Sequence, residues 1–404
     1  MARSTFSLKI VIVLGLLSGL APFCTDLYLP ALPAIEQQFN EDVLLFGFTF
    51  SSTMLVNLTL AASMFGIAWG QILMGYYSDV YGRKPVLFVS LIGFIAFSIL
   101  CAWSESILML VIWRFLQGIF AAGSIVVSRA MGFDMFKGPE LLRFMATLTL
   151  VFGLAPVVSP LFGAFFLEVL ASHWRWLFVF LADLGILLFL LSFLLHETLP
   201  KESRAPSGLG HFVAQFFALF ANKTFVRFLL INSFAFAMLF AYISASSFVF
   251  QNIYALNKTQ YSYIFAINAL GVMAVASSIA KLSNRFSTHA ILRVGLLLCV
   301  CGAAGVICAV LLMPSSLLIL ELPLFVVIAG FGAVASTSVA EGLSAISGSG
   351  GVASGFFGVV NFTFAGAVSP LVGIMGEKSA LPMALLMFVC SFFALLLFLR
   401  AQKA

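Results

Sequence analysis

Two charged side chains, Asp26 and Arg114, lie within long apolar runs of the sequence. A charge at membrane depth costs about 2.5–3.5 kcal/mol on the insertion scale, so the few that remain there are expected to have a function. A buried carboxyl group can take up and release a proton as a cation or water approaches, whereas an arginine keeps its charge. The pair therefore indicates proton coupling. The alternatives are a fixed structural ion pair, or an Asp26 that caps an unwound stretch between Pro22 and Pro30.

The two charges are expected at a similar depth. Asp26 lies ten residues before Glu36, and Arg114 lies eight residues beyond Ser106. With Glu36 and Ser106 at the outer surface, the helical rise places Asp26 ~15 Å and Arg114 ~12 Å below it. The sequence thus predicts a carboxyl and a guanidinium in one layer of the membrane.

Amide and aromatic side chains within other apolar runs are candidates for a substrate cavity, since aromatic walls suit lipophilic or mixed-polarity ligands. The candidates are Tyr28, Asn232, Phe236, Met238, Tyr242, Asn268 and Asn361. The alternative for each is contact with lipid or with a neighbouring helix. Asp183 is deep enough to line a cavity, whereas Glu321 and Glu341 lie toward the ends of their span, where water can solvate them.

The elements that carry these residues are predicted to be membrane helices. Of the 404 residues, 62% are hydrophobic and 9% are charged, against about a quarter charged in soluble domains. A spanning helix needs roughly 20 mainly apolar residues, which leaves room for twelve. The predicted spans are 8–33, 46–72, 85–103, 106–130, 143–170, 174–195, 225–250, 259–282, 289–312, 316–340, 351–376 and 380–399. We therefore predict an all-α polytopic membrane protein.

The distribution of basic residues predicts the orientation. If the N-terminus is cytoplasmic, sixteen Lys and Arg residues lie on or near the inside and only Arg175, Lys258 and Lys378 lie outside. Cytoplasmic loops carry this excess of positive charge. Both termini are therefore predicted to be cytoplasmic.

The chain is predicted to be a duplication of two six-helix halves. The hydrophilic stretch from His196 to Lys223 divides it near the midpoint. The segment VSPLFG at Val158–Gly163 recurs as VSPLVG at Val368–Gly373, and a second echo has nearly the same offset. We predict an N-terminal bundle at 1–196, a cytoplasmic linker at 197–223 and a C-terminal bundle at 224–404. Two parallel six-span repeats with a midplane substrate site are the arrangement of major facilitator transporters.

Catalytic and metal chemistry is not indicated. The four histidines fall in predicted loops, and the six cysteines show no metal-ligand spacing. No nucleophile–base pair or pair of carboxylates shares one membrane depth, so we predict no enzyme, no cofactor and no metal. The expected partners are a small-molecule substrate, protons and the lipid bilayer, without nucleic acid, and a monomer is expected.

One loop carries a specific family motif. Residues Gly75–Pro85 read GYYSDVYGRKP, which resembles the major facilitator loop signature G-x-x-x-D-x-x-G-R-K. The resemblance implies that Gly75, Asp79, Gly82, Arg83 and Lys84 gate the conformation through charge contacts made in one global state. Asp134 is predicted to be a partner of Arg83. Many members of that family have a basic residue directly after the loop aspartate, whereas this chain has Val80 there.

Two further motifs resemble those of proton-coupled members. Residues Arg114–Gly118 read RFLQG, like the R-x-x-Q-G motif of the fourth span. Residues Gly153–Gly163 read GLAPVVSPLFG, like the fifth-span motif of antiporters, with Gly163-Ala164 in place of the closing Gly-Gly. The residues carried over are Gly153, Pro156, Pro160 and Gly163. Proline and glycine at this spacing bend the helix.

Most of the chain resembles the bicyclomycin-resistance (Bcr/CflA) drug–proton antiporters. The segments that carry the resemblance are TDLYLPALP at 25–33, WRWLF at 174–178, ETLP at 197–200, FAYISASSFVF at 240–250 and YIFAIN at 263–268. The resemblance implies an exporter of small molecules in the bacterial inner membrane, driven by the proton gradient through Asp26. The alternative is a dedicated metabolite or siderophore carrier, exporting or importing, on the same fold. A membrane enzyme and a non-transporting receptor are more distant rivals.

Overall fold

The computed structural model describes residues 8–39, 43–45, 48–136, 138–169, 173–204, 219–313, 316–346, 350–374 and 379–401. Nearly all of them are helical. The helices are α1 (Leu8–Asp26), α2 (Leu32–Gln38), α3 (Ser52–Tyr81), α4 (Arg83–Ala102), α5 (Ile107–Met135), α6 (Gly138–Ala164), α7 (Arg175–Ser192), α8 (Lys223–Phe248), α9 (Lys258–Leu282), α10 (Thr288–Leu312), α11 (Leu317–Ser344), α12 (Gly350–Ile374) and α13 (Leu381–Ala401). Single π-helical turns extend α6 to Val169 and α8 to Ile253.

Eleven helical segments of the described residues are long and apolar enough to cross a membrane. A shorter apolar helix, Leu154–Glu168, lies within the fifth predicted span, 143–170, which is the one not among the eleven. Helices suit the membrane interior because each backbone N–H and C=O group is hydrogen-bonded within its own helix, and no water is present there to bind these groups instead. The predicted all-α polytopic architecture is confirmed, and the protein is a multi-pass membrane protein.

The predicted second span begins later than expected. Hydropathy predicts a start at residue 46, but α3 begins at Ser52. Val43–Leu45 and Phe48–Phe50 instead form two short antiparallel strands, with Val43 paired to Phe50. Phe and Thr alternate in the second strand, and both favour extended backbone.

By its internal contacts the chain divides into two compact units, one of Met1–Leu29 with Ala62–Phe212 and one of Pro30–Ala61 with Val213–Ala404. The predicted bundle and linker boundaries at 1–196, 197–223 and 224–404 stay predictions, and residues 205–218 of the linker lie outside the described residues. In the first unit, α1 packs against α5, α6 and α7, and α4 packs against α5 and α7. In the second unit, α8 packs against α11, α12 and α13, and α10 against α11 and α13.

Two of the helices that carry candidate residues, α1 and α8, are buried over most of their length. Of the eleven segments, those that contain α1 and α8 are the most deeply buried. Glycine permits part of this packing: a Cβ on Gly66 of α3 would meet the backbone of Phe115, and one on Gly118 of α5 would meet the backbone of Ser63. Small residues allow membrane helices to approach this closely. The Arg114 turn of α5 is thereby held against α3.

Candidate functional site

Asp26 is the last residue of α1, and its side chain is 3% exposed. Pro22 lies inside the helix one turn earlier, and a proline removes a backbone donor. The Thr25 hydroxyl donates to the carbonyl of Pro22 at 2.8 Å and lies 3.2 Å from Asp26 Oδ1. The carboxyl therefore stands at a helix end held by a local side-chain hydrogen bond.

Arg114 is fully buried in the middle of α5. Its Nη1 donates to Gln117 Oε1 at 2.6 Å and lies 3.4 Å from the carbonyl oxygen and 3.2 Å from the Sγ of Cys24. Among the described residues, Nε and Nη2 have no hydrogen-bond partner. These two atoms form one edge of the guanidinium, and such an edge fits a carboxylate with two parallel hydrogen bonds.

Aromatic rings fix the plane of the guanidinium. The Cζ of Arg114 lies 4.3 Å from the ring centre of Tyr28 and 5.6 Å from that of Phe178, and those two rings are 5.7 Å apart. Such stacking stabilises a cation that is removed from water. Tyr28, predicted to line a substrate cavity, is fully buried against Arg114.

Gln117 connects Arg114 to the neighbouring helix α4. Its Nε2 donates to Ser98 Oγ of α4 at 2.7 Å, and Ser98 donates to the Phe94 carbonyl at 2.7 Å. Residues three apart on a helix lie on one face, which explains the R-x-x-Q spacing. The motif thus holds the arginine in place through a chain of hydrogen bonds.

The structure brings Asp26 and Arg114 into one unit but not into a direct ion pair. Within the described residues, no N–O contact of 4.0 Å or less joins them, although the two groups interact electrostatically. Cys24, two residues before Asp26, is the part of α1 that touches Arg114. The alternative of a fixed ion pair is not what the structure contains.

The loop between α3 and α4 forms a dense charge cluster. Arg83 is paired with Asp79 one turn earlier, and its Nε lies 3.0 Å from Asp134 Oδ2 at the end of α5. Its Nη1 also donates to Ser78 Oγ at 2.9 Å. The predicted contact between Arg83 and Asp134 is present. Gly82 has φ +104°, which a side chain would strain, and this turn brings Arg83 back over the end of α3.

Glu197, for which the sequence predicts no individual role, holds the start of α4. Its carboxylate accepts hydrogen bonds from the backbone N–H groups of Arg83 at 3.0 Å, Lys84 at 3.1 Å and Leu199 at 3.0 Å. Partial burial raises the pKa of Glu197, but the N–H donors outweigh it and hold the pKa below its ordinary value. An anion at a helix N-terminus is favoured by the free N–H groups there.

Two other residues attach the same segment to the loop. Thr198 Oγ1 donates to Asp134 Oδ2 at 2.8 Å, and Lys84 Nζ donates to the Leu195 carbonyl at 2.7 Å. The resemblance had marked residues 197–200 as typical of the family, but no spacing rule in the sequence predicts these long-range contacts. Gly75, the first residue of the motif, accepts the Ser78 hydroxyl at its carbonyl.

The fifth-span motif lies on α6. Pro156 and Pro160 are both inside the helix, between Gly153 and Gly163. Ser159 Oγ donates to the carbonyl of Ala155 at 2.6 Å. Immediately beyond the motif the helix changes to a π-helical turn at Phe165–Val169. Two prolines four residues apart each remove an internal hydrogen bond, so this end of α6 is irregular.

In the second unit, the predicted asparagines bind neighbouring polar side chains. Asn232 Oδ1 accepts from Ser338 Oγ of α11 at 3.1 Å, and its Nδ2 has no partner among the described residues. Asn361 Oδ1 of α12 accepts from Ser233 Oγ at 2.9 Å. Both asparagines are buried. These amides join α8 to α11 and α12.

A cluster of phenylalanine side chains surrounds the middle of α8. Phe236 is half-buried, and its ring centre lies 6.3 Å from Phe240, 5.2 Å from Phe331 and 6.4 Å from Phe362. Met238 is fully buried. The lining of a cavity by these residues stays a prediction.

A third polar group links Tyr242, Asn268 and Glu321. Asn268 Nδ2 lies 2.8 Å from Glu321 Oε1 and 3.2 Å from the Tyr242 hydroxyl oxygen, and the Tyr242 ring stacks on Phe265 at 5.7 Å. The sequence predicts that Glu321 is solvated near the membrane surface. The structure instead places it partly buried against α9, with its Oε2 fully enclosed.

The remaining ionisable residues form no metal site in the part of the chain that the structure describes, which holds no group of three His, Cys, Asp or Glu able to bind an ion. The prediction that His289 lies in a loop is wrong, because His289 lies in the first turn of α10. Its Nδ1 is 3.4 Å from Glu341 Oε1. Asp183 is exposed on α7. His211 lies outside the described residues.

Comparison of the sequence with known proteins gives consistent matches over most of the chain. The MFS-type transporter YdgK of Bacillus subtilis (strain 168) is 32% identical over 397 residues, covering 98% of this chain and 96% of YdgK. A bicyclomycin resistance protein homolog of Haemophilus influenzae is 29% identical, covering 96% of this chain and 94% of that protein. The multidrug resistance protein MdtL of Salmonella typhi is 26% identical, with 94% and 91% covered. The predicted resemblance to the bicyclomycin-resistance group is confirmed.

Solved structures share the fold. The crystal structure of a D-xylose–proton symporter superposes with a TM-score of 0.78 at 14% identity, covering 96% of this chain and 97% of that one. A bacterial homolog of the human lysosomal transporter Spinster, inward-facing and unoccupied, superposes with a TM-score of 0.76 at 16% identity, covering 99% and 98%. These neighbours confirm the predicted fold of twelve membrane helices. The family model for the Major Facilitator Superfamily matches residues 14–370, and this chain therefore belongs to the major facilitator superfamily of transporters.

Proposed function

We propose that this protein is a proton-coupled exporter that moves a small molecule, such as a drug or metabolite, out of the cell by alternating access. The observation that carries the proposal is the free edge of Arg114. Its Nε and Nη2 are buried without a partner among the described residues, and the end of α1 that carries Asp26 touches the same side chain through Cys24. A buried cationic edge beside a buried carboxyl group that has no ion pair in the described part of the chain is an arrangement with two alternative states.

In the first state Asp26 is ionised, and its carboxylate moves onto the Nε and Nη2 edge of Arg114. Two parallel charge-assisted hydrogen bonds then satisfy both atoms. In the second state Asp26 is protonated, has no charge and leaves the arginine. Gln117, Tyr28 and Phe178 hold the guanidinium, so the end of α1 is the part that moves. Proton binding thereby changes the position of α1.

The energy for export comes from the proton gradient, and no cofactor is required. A proton entering down a potential of 100 mV supplies ~2.3 kcal/mol, about a fiftyfold gradient of a neutral substrate. In the proposed cycle Asp26 takes up a proton from the outside as the substrate leaves. Reopening to the inside releases the proton, and the ionised carboxylate returns to Arg114.

The cluster at the α3–α4 loop is proposed to stabilise one conformation of the cycle. Asp79 and Asp134 hold Arg83, while Glu197 holds the start of α4. Contacts of this kind break together when the helices that carry them separate, so they favour one global state over the other. The prolines and glycines of α6 supply the bend that such a change needs.

The membrane topology is part of the proposal. The excess of Lys and Arg on one side supports a cytoplasmic location for both termini, and the bacterial sources of the relatives support the cytoplasmic membrane. The two six-helix halves work as one monomer.

The substrate is proposed to be lipophilic or of mixed polarity. The names of two relatives, a bicyclomycin resistance protein homolog and multidrug resistance protein MdtL, support drug-like cargo. In this chain, Phe236 and the phenylalanines around it offer aromatic faces. The amides of Asn232, Asn268 and Asn361 offer hydrogen-bonding groups. A dedicated metabolite or siderophore carrier on the same fold is the alternative.

The test uses everted membrane vesicles that hold the full-length protein and a dye reporting the internal pH. Bicyclomycin, the lipophilic cation tetraphenylphosphonium and a hydroxamate siderophore are added in turn to an established proton gradient. We expect at least one drug to collapse the gradient in wild type and to fail in Asp26→Asn. The matched control is Glu105→Gln, which removes an exposed acid before α5.

The outcomes separate the alternatives. A response to the siderophore alone favours the dedicated carrier. A gradient that collapses equally in wild type and Asp26→Asn shows that Asp26 does not couple the proton. Binding of a drug to the purified protein without any flux in vesicles contradicts export.

A further inference from the structure

Glu321 and Asn268 each leave one buried acceptor atom without a donor. Asn268 Nδ2 donates to Glu321 Oε1 at 2.8 Å, but Asn268 Oδ1 and Glu321 Oε2 have no partner among the described residues. Both orphaned atoms are oxygens, and they sit on two side chains that are already joined. Unpaired buried acceptors are unfavourable, so their occurrence on a joined pair needs an explanation.

One proton added to the Glu321 carboxyl group would give both oxygens a hydrogen-bond partner. A protonated carboxyl group has one O–H donor beside one acceptor oxygen, and an amide has N–H donors beside one acceptor oxygen. The two groups therefore match as a pair, with the amide N–H donating to one carboxyl oxygen and the carboxyl O–H donating to the amide oxygen. An ionised carboxylate instead presents only acceptors to the amide oxygen.

The surroundings offer no cation in place of the proton. In the described part of the chain, Glu321 forms no ion pair with Lys, Arg or His. The titratable groups of α8 are Lys223, Arg227 and Tyr242, and those of α9 are Lys258, Tyr261, Tyr263 and Lys281. Of these, Tyr242 shares Asn268 Nδ2, Tyr261 packs on Phe265, and Tyr263 is exposed. The four cations lie ten or more residues along their helices from Tyr242 or Asn268. The α12 helix has no titratable residue between Gly350 and Ile374.

Helix α10 contributes three cysteines and, at its far end, Arg293 and His289. His289 binds Glu341, which is twenty residues away from Glu321 along α11. An uncompensated carboxylate within a membrane helix is costly, whereas a proton needs no additional space. The geometry thus favours a proton over a bulky cationic ligand.

We propose that Glu321 is a second proton-binding carboxyl of this transporter, in the second unit, with Asn268 as the residue that holds it in its protonated form. Asp26 lies in the first unit and Glu321 in the second, so each unit contributes one of the two proposed proton-binding carboxyl groups. The role of Glu321 in transport rests on the proposed function, but proton binding by Glu321 does not.

The test is infrared spectroscopy of the purified full-length protein in lipid nanodiscs during a pH titration. The C=O stretch of a protonated carboxyl is resolved from the bands of carboxylate and amide. We expect wild type to show buried protonated carboxyl bands at acidic pH that disappear as the pH rises. Glu321→Gln is expected to remove one band that Asp26→Asn retains. Gln keeps the pairing with Asn268 through two amide hydrogen bonds, so this variant is expected to fold.

Two further variants identify the band. Asn268→Leu removes the amide partner and is expected to shift the frequency of the Glu321 band, while Tyr242→Phe leaves that band in place. If Glu321→Gln has the same carboxyl bands as wild type at every pH, the proposal is wrong. If Asp26→Asn changes nothing but Glu321→Gln removes a band, the Glu321 site stands and the role assigned to Asp26 falls.

Discussion

Arg114 donates from Nη1 to Gln117 Oε1 at 2.6 Å, one helical turn along α5, while its Nε and Nη2 have no partner among the described residues. Nη1 is thus engaged by Gln117 of its own helix and by Cys24 of α1, whereas the edge formed by Nε and Nη2 is left open in a buried position. A charged group held in this way is ready to receive a carboxylate without rearranging itself.

Arg114→Lys is expected to reduce proton-coupled transport. Lysine keeps the charge but lacks the planar edge with two adjacent donors. Loss of a hydrogen bond to a charged group costs about 1.5–3 kcal/mol, so the transport rate should fall roughly tenfold to a hundredfold. The measurement is the rate of drug-induced pH change in everted vesicles, normalised to the amount of protein in the membrane. The control is Arg293→Lys, at an exposed position of α10. Equal rates for Arg114→Lys and wild type would show that the edge is not used.

Glu197→Gln is expected to remove a pH-dependent part of the stability. The folded protein holds the pKa of Glu197 below its ordinary value, so the ionised form stabilises the fold. This contribution is fully present above the ordinary pKa of about 4.3 and is lost as the pH falls through the lower, folded-state value.

The measurement is the thermal unfolding midpoint of purified wild type and Glu197→Gln at a series of pH values. We expect wild type to be more stable at neutral pH and the difference to shrink in acid. The control is Glu202→Gln, at an exposed position of the same segment. A difference that grows on acidification would contradict the assignment.

Gly118→Ala is expected to destabilise the first unit. Its new Cβ would meet the backbone of Ser63 closer than real Cβ atoms approach, and backbone cannot move aside as a side chain can. Overpacking of this kind costs about 1–3 kcal/mol. Gly355→Ala is the matched control, because nothing lies within 4 Å of its Cβ position. The unfolding midpoint of both variants in detergent tests this, and a similar change in the two would refute it.

Phe236→Ala is expected to change drug preference more than stability. Phe236 is half-buried and shares ring contacts with Phe240, Phe331 and Phe362. Aromatic pairs contribute about 0.5–1.5 kcal/mol beyond burial, so apparent affinity for an aromatic drug should fall about twofold to tenfold. Concentration dependence of transport is measured for an aromatic and a non-aromatic substrate. Phe286→Ala, at an exposed position, serves as the control, and an equal effect on both substrates would argue against a binding role.

The sequence predicts the helices well because the membrane acts on short, contiguous segments. Length, hydropathy and the scarcity of charge specify where a helix crosses, and they depend on neighbours in the chain. The main difference, a later start of α3 at Ser52, concerns residues at the end of a span, where apolar side chains are also compatible with a strand. The Arg83–Asp134 contact was also predictable, since a motif predicts which ends of helices meet.

Sequence alone determined the membrane class and the family resemblance, and it singled out Asp26 and Arg114 as candidates, because a charge in an apolar run is visible without any structure. Only the tertiary structure decided that Asp26 and Arg114 are not directly paired, that Glu197 holds the start of α4 from 114 residues away, and that Asn268 meets Glu321. Such contacts depend on how each helix is rotated about its axis. One residue turns a side chain by roughly 100°, and hydropathy leaves that angle open in a chain that is apolar on nearly every face.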